Sequence, residues 1–147
     1  MVSTNARGVR KAVVKMLPKV SIIIPCRKLD SYVKQCIEKC KELDYPNYEI
    51  ILLPDYMTEE IDGVKIIPTG PATPGKKRNI GIENSSGEFL AFIDSDAYPR
   101  RDWLKNALKY FKNGEVAAVG GPGLTPEDDN DRQTASGCLL YTSEAAD

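Results

Sequence analysis

The feature that most constrains this chain is an alternation of short apolar runs with stretches of helical spacing. Val20 to Ile24 is a continuous, largely β-branched run stopped by Pro25, as expected for a strand buried on both faces. From Asp30 to about Glu42, Val33, Cys36, Ile37 and Cys40 keep the spacing of one helix face, with Asp30 or Ser31 available as cap. The unit then repeats in kind. Tyr48 to Leu53 is a strand, Val64 to Pro68 a short strand, Lys76 to Glu83 a helix and Glu88 to Ile93 a strand. Asp102 caps a helix running to about Lys112, with Leu104, Ala107, Leu108 and Phe111 on one face, and Val116 to Gly120 is a further strand. This order predicts an α/β fold, a mainly parallel sheet with helices on both faces. In such sheets ligands collect beyond the carboxyl ends of the strands.

Two segments flank the alternation. Residues 1–19 hold five basic side chains and no acid, and end near Pro18. They form a basic N-terminal segment, expected as a tail or short extra helix; the sharper alternative is a peripheral contact with an anionic membrane surface. Residues 20–147 form the domain. Past Gly121 the pattern loosens into a Pro- and Asp-rich loop from Pro122 to Arg132, and Gln133 to Tyr141 fits either a strand or a helix.

With 147 residues, 41% of them hydrophobic and 28% charged, the chain can close one globular core. The net charge of −1 conceals an asymmetry: residues 1–40 carry nine Lys or Arg against two acids. The remaining acidic excess argues against a nucleic-acid partner. No apolar run approaches the roughly 20 residues of a membrane span, and the start lacks the apolar core of a signal peptide, so the expectation is a cytoplasmic chain. Cys26, Cys36, Cys40 and Cys138 include no CxxC pair and there is no histidine, which leaves the common zinc sites without enough ligands. The cysteines read as small buried residues. Absent histidine, any general base must be a carboxylate or an amine.

The strand from Phe89 to Ile93 leads directly into Asp94, Ser95 and Asp96. Two carboxylates two residues apart at a strand end can serve one hard cation, Mn²⁺ or Mg²⁺, although an Asp-Ser-Asp triplet is by itself more often only a turn. Other strand ends are polar as well: Pro25, Cys26, Arg27 after the first, and Pro54, Asp55 after the second. Lys76, Lys77 and Arg78 stand at a helix start, where donors and the helix dipole favour phosphate, against the alternative of a solvated basic face.

In order along the chain stand VSIIIPCRK at 20–28, EIILLPD at 49–55, PGKKRNIGIENSSGEFLAFIDSDAYPRRDWL at 74–104 and VAAVGGP at 116–122. With these pieces the chain resembles the family 2 glycosyltransferases, inverting enzymes with the A-type, Rossmann-like nucleotide-diphospho-sugar transferase fold. The resemblance implies transfer of a sugar from a nucleoside-diphosphate sugar to an acceptor hydroxyl. It implies a donor site of Pro25, Cys26, Arg27, Asp55, Lys77, Arg78, Asp94 and Ser95, with Asp96 at the metal. Pro25 and its turn would border the nucleoside, Asp55 would accept from the base, Arg78 would lie near base or phosphate, and Asp94 would approach the ribose.

Two departures accompany it. Leu53, Pro54, Asp55, Tyr56 replace the two acids and Gly-Ser that many members carry after the second strand. The family's catalytic carboxylate and much of its acceptor pocket fall beyond residue 147, so the acceptor half is expected to be missing. Glu127, Asp128, Asp129, Asp131, Glu144 and Asp147 are not assigned as the base, and the run at 127–131 reads as a solvated loop. Neither the donor sugar nor the acceptor, whether saccharide, lipid or protein, is legible, and a homo-oligomer stays open.

Two rivals differ in class. Residues 70–77 fall one residue short of a phosphate loop, GxxxxGK followed by Ser or Thr, because Lys77 takes the hydroxyl position. Pro71 and Pro74 also delete backbone donors from a loop that would have to present them. The other rival is a non-catalytic or truncated nucleotide-sugar-binding module, which suits the short C-terminal part.

Overall fold

The computed structural model describes residues 17–124. The basic segment up to residue 16, the segment from Gln133 to Tyr141 and Cys138 lie outside the described residues.

Four parallel strands form one sheet in the order β3-β2-β1-β4. They are β1 (Val20–Pro25), β2 (Tyr48–Leu53), β3 (Val64–Ile66) and β4 (Phe89–Phe92). Ile22 sits opposite Ile50 on one side and Ala91 on the other, so β1 is central and all six of its residues are buried. This explains why its sequence is a run and not an alternation: both faces are covered.

The two faces have different partners. Val20, Ile22, Ile24, Ile50 and Leu52 pack on α1 (Ser31–Lys41) through Val33, Cys36, Ile37 and Cys40, and Leu104 of α3 (Trp103–Leu108) joins the same cluster. Ile23, Ile51 and Leu53 turn the other way, where Ile80 of α2 (Pro74–Glu83) packs on them. Helices therefore cover both faces. Gly81 lets α2 come this close, since a Cβ there would lie 2.6 Å from Ile23 Cγ2.

Local chemistry sets the helix starts. Asp30 accepts from the Val33 N–H at 3.0 Å and caps α1, and Lys39 and Lys41 meet the negative end of its dipole. α2 begins two residues before its expected start at Lys76, because Thr73 caps it and Pro74 fits the first helical position.

Three expectations need correction. The short strand ends at Ile66, not Pro68, although Ile67 still donates to Leu52 O at 2.9 Å. The helix expected from Asp102 to Lys112 is six α-helical residues followed by a 3₁₀ turn, Lys109–Asn113. Asp102 gives no side-chain cap; its Oδ2 instead accepts from the Asn106 side chain at 2.8 Å. Gly114, at φ +71°, closes the turn with its N–H on Phe111 O. Finally, 116–120 forms no strand: among the described residues it has no ladder partner, and Val119 remains exposed. An apolar run without a neighbour to pair its backbone is not held as a strand.

Two compact units divide between Lys109 and Tyr110. Every candidate site residue belongs to the first.

Candidate functional site

The carboxyl ends of β1 and β2 continue into each other by backbone bonds beyond the regular ladder. Cys26 N–H donates to Leu53 O at 3.1 Å, and Asp55 N–H donates to Arg27 O at 3.0 Å. The chain after β3 follows alongside, with Thr69 N–H on Pro54 O and Gly70 N–H on Asp55 O at 2.8 Å. Gly70 takes φ +69°, so the left-handed residue is where the chain leaves this edge toward the loop before α2.

An open cleft of about 870 Å³ lies at this edge. Pro25, Cys26, Arg27 and Lys28 line it from the end of β1, Asp30 and Val33 from the start of α1, Pro71 to Pro74 with Lys76 and Lys77 from the start of α2, and Ser95 from the turn after β4. Its size suits a nucleotide-sized ligand, and four cations against one lining carboxylate suit an anionic one. Of the residues expected from sequence, Pro25, Cys26, Arg27, Lys77 and Ser95 meet here. Asp55, Arg78, Asp94 and Asp96 stand outside the lining.

Lys77 is the exception among the cations. Only 2% of it is exposed, and its ammonium donates to Cys26 O, to Leu53 O at 3.3 Å and to Asp55 Oδ1. An ammonium has three protons, and all three are engaged. Lys76 beside it is exposed, and its N–H is taken by the Thr73 hydroxyl at 3.3 Å. In the phosphate-loop comparison Lys77 held the place of a hydroxyl ligand; here that position points inward and braces the sheet.

Asp94, Ser95 and Asp96 form a β-turn, closed by Ala97 N–H on Asp94 O at 3.0 Å. The turn follows on from the ladder through Ile93 N–H on Ile23 O, and the Cys36 thiol donates to Asp94 O at 3.9 Å from α1. Turn and ligand site are thus compatible, because the turn leaves both carboxylates exposed. Arg78, one residue after Lys77 on α2, donates to Asp94 Oδ1 at 2.6 Å. Among the described residues, the Asp96 carboxylate takes part in no hydrogen bond or ion pair.

Among the described residues, no group of three or more His, Cys, Asp or Glu side chains is placed to hold a metal ion. A cage built wholly from protein is therefore not formed by them. A divalent ion that keeps waters and shares phosphate oxygens needs only one or two carboxylates, and Asp96 fits that demand. Burial pushes the Cys26 thiol up to about 11, against the partial pull of Lys77, which disfavours the thiolate that a nucleophile needs.

Sequence reasoning passed over Lys28 and Asp30 as lining residues. Lys28 lies within VSIIIPCRK and Asp30 is the cap of α1; a cap at a strand-to-helix turn stands at the carboxyl edge by construction, which is the signal the sequence offers.

A family model described as glycosyl transferase family 2 matches residues 21–144. An uncharacterized glycosyltransferase of Haemophilus influenzae is 30% identical, over 71% of this chain and 47% of its own length. A dolichyl N-acetyl-alpha-D-glucosaminyl phosphate 3-beta-D-2,3-diacetamido-2,3-dideoxy-beta-D-glucuronosyltransferase of Methanococcus voltae is 29% identical, over 69% of this chain and 38% of its own. The chain spans less than half the length of these relatives. Among solved structures, S. aureus TarS 1-349 in complex with UDP-GlcNAc superposes at a TM-score of 0.57 with 23% identity, covering 75% of this chain and 38% of that one. A mannosyltransferase from Pyrobaculum calidifontis, solved with GDP-Man and Mn²⁺, superposes at 0.59 with 20% identity, covering 80% and 44%. These superpositions show a shared fold.

Proposed function

The chain belongs to glycosyl transferase family 2, and from that premise we propose that it binds a nucleoside-diphosphate sugar at the carboxyl edge of its sheet and contributes the donor half of an inverting sugar transfer. The observation that carries the proposal is the cationic cleft bordered by the Asp94–Asp96 turn, in a chain whose family match runs through both.

In this reading the nucleoside lies against Pro25, Cys26 and Arg27, with Asp55 accepting a hydrogen bond from the base. Lys76 and the first turn of α2 favour the diphosphate through charge and dipole. Arg78, held on Asp94, orients that carboxylate toward the ribose. Asp96 would hold a divalent cation, Mn²⁺ or Mg²⁺, which would supply neutralisation of the charge on the departing diphosphate. The acceptor oxygen attacks the anomeric carbon from the face opposite the diphosphate; the new C–O bond forms as the old one breaks, and a carboxylate base removes the hydroxyl proton. That base is assigned to no residue, so donor binding and transfer are separate claims. The relatives' nucleotide-sugar complexes, the UDP-GlcNAc and GDP-Man bound by two structural neighbours, support the first of them.

Calorimetric titration with UDP, GDP and ATP in the presence of Mn²⁺ tests the proposal. Saturable binding of UDP or GDP in preference to ATP is expected. Preference for ATP with turnover favours the phosphate-loop alternative and overturns it.

A further inference from the structure

Lys77 is a lysine with almost no exposed surface, although it lines an open cleft. A buried ammonium is costly unless every proton has an acceptor, and here each one does. Its acceptors are specific: Cys26 O at the end of β1, Leu53 O at the end of β2 and Asp55 Oδ1 immediately beyond β2. Asp55 is held on its other sides as well, its N–H on Arg27 O and its carbonyl under the Gly70 N–H. One carboxylate oxygen, Oδ2, has no partner among the described residues, and the side chain keeps 17% of its surface exposed. The arrangement leaves a single fixed acceptor at the carboxyl edge of the sheet, next to Cys26 and Arg27 of the cleft lining.

We propose that Lys77 is a positioning residue for nucleobase recognition: it anchors Asp55 so that one carboxylate oxygen is offered to a base, and it is not a phosphate ligand. This rests on the assignment of Asp55 as the base acceptor made above. A carboxylate only accepts, so a fixed one selects a base with a ring N–H at its pairing edge, as in uracil and guanine. Adenine and cytosine put an unprotonated ring nitrogen at that edge, and two facing acceptors repel. Lys77 thereby links the packing of α2 to the choice of nucleotide. The class of donor that follows is a uridine or guanosine diphosphate sugar.

The test is calorimetric titration of the full chain with UDP, GDP, CDP, ADP and inorganic pyrophosphate, all with Mn²⁺. The unmodified chain is expected to prefer UDP or GDP over CDP and ADP. Lys77→Met, which keeps the shape of the stem and removes the donors, should weaken the preferred nucleotide by about tenfold or more and bring the four nucleotides close together, since an unanchored acceptor forfeits about one hydrogen bond to charge. Pyrophosphate affinity should stay within about twofold. A fall in pyrophosphate affinity equal to that of the nucleotides would make Lys77 a phosphate ligand and overturn the proposal, and undiminished discrimination would reduce it to a packing role. If Lys77→Met fails to fold, Asp55→Asn and the double variant K77M/D55N decide, because the double variant leaves no charge unpaired. Equal pyrophosphate affinity and equally weak discrimination in both variants support the proposal; a further loss of pyrophosphate affinity in the double variant contradicts it. An unmodified chain that binds none of the five ligands contradicts the donor-site reading itself, whereas one that binds them without preference contradicts only the nucleobase assignment.

Discussion

The two ends of the sheet treat the same chemistry in opposite ways. At the amino end, Glu49 of β2 accepts from the Ser21 hydroxyl at 2.6 Å, from Ser86 N–H at 2.7 Å and from Lys19 at 3.0 Å, while Gly87 N–H donates to Ser21. Every polar group in this knot answers another. At the carboxyl end Lys77 and Asp55 are locked in the same fashion, yet Arg27, Lys28 and Lys76 stand exposed, and Asp96 makes no bond among the described residues. A saturated cluster holds strands together; an unsaturated one at the edge where strands end is free to hold a ligand. Pairing of charge alone therefore does not identify the site, since both ends contain a Lys–carboxylate pair.

The contrast can be broken from either side. The largest effect is expected from Asp96→Ala, which should weaken Mn²⁺-dependent binding of UDP or GDP by about a hundredfold while moving the thermal midpoint by no more than about 2 °C. Calorimetry and a melting curve on the same sample check both halves. Gly87→Ala should do the reverse. A Cβ at Gly87 would sit 2.5 Å from Ser21 Oγ and 2.6 Å from Ser21 N, so a loss of about 2 kcal/mol in denaturant-measured stability is expected, with nucleotide affinity of the folded fraction unchanged.

Acid sharpens the same difference. Burial works against ionisation of Glu49, but hydrogen bonds from Ser21, Ser86 and Lys19 outweigh it and lower the carboxyl from 4.5 to about 2. The unfolded chain then binds the proton more readily than the folded one between these values. The stabilisation is complete above about pH 4.5 and disappears as pH falls through 2, and allowing for solvent it amounts to about 1.5 kcal/mol. Urea unfolding followed from pH 5 to pH 2 should show this loss in the parent chain and a smaller slope in Glu49→Gln. The smallest effect belongs to a surface pair that takes part in neither cluster. Lys105 and Asp44 meet at 3.1 Å with more than half of each side chain exposed, and Lys105→Ala should change stability by less than about 0.5 kcal/mol.

The fold was legible wherever burial on two faces shapes a run. β1, α1 and β2 stand where their spacing puts them, because packing on both sides of the sheet leaves few alternatives for Ile22, Ile23 or Cys36. Val116 to Gly120 misled because a run of apolar residues does not specify the neighbour it must pair with. In the site, the exposed carboxylates of Asp94 and Asp96 followed from their place after β4. The inward turn of Lys77 did not. In sequence it is one of three consecutive cations, and only the spacing from Gly81, which brings α2 down on Ile23, implies that Lys77 faces the sheet while Lys76 faces water. Residues 77 and 81 are one helical turn apart, and that periodicity was the overlooked signal.

Hydrogen–deuterium exchange of the full chain, with and without saturating UDP or GDP and Mn²⁺, tests most directly which end of the sheet is the ligand end. The account predicts new protection in residues 26–30, 71–78 and 94–97, and none in residues 19–21, 47–49 and 85–87. Protection confined to the amino-end segments, or binding by calorimetry with no protection at the carboxyl edge, would contradict it.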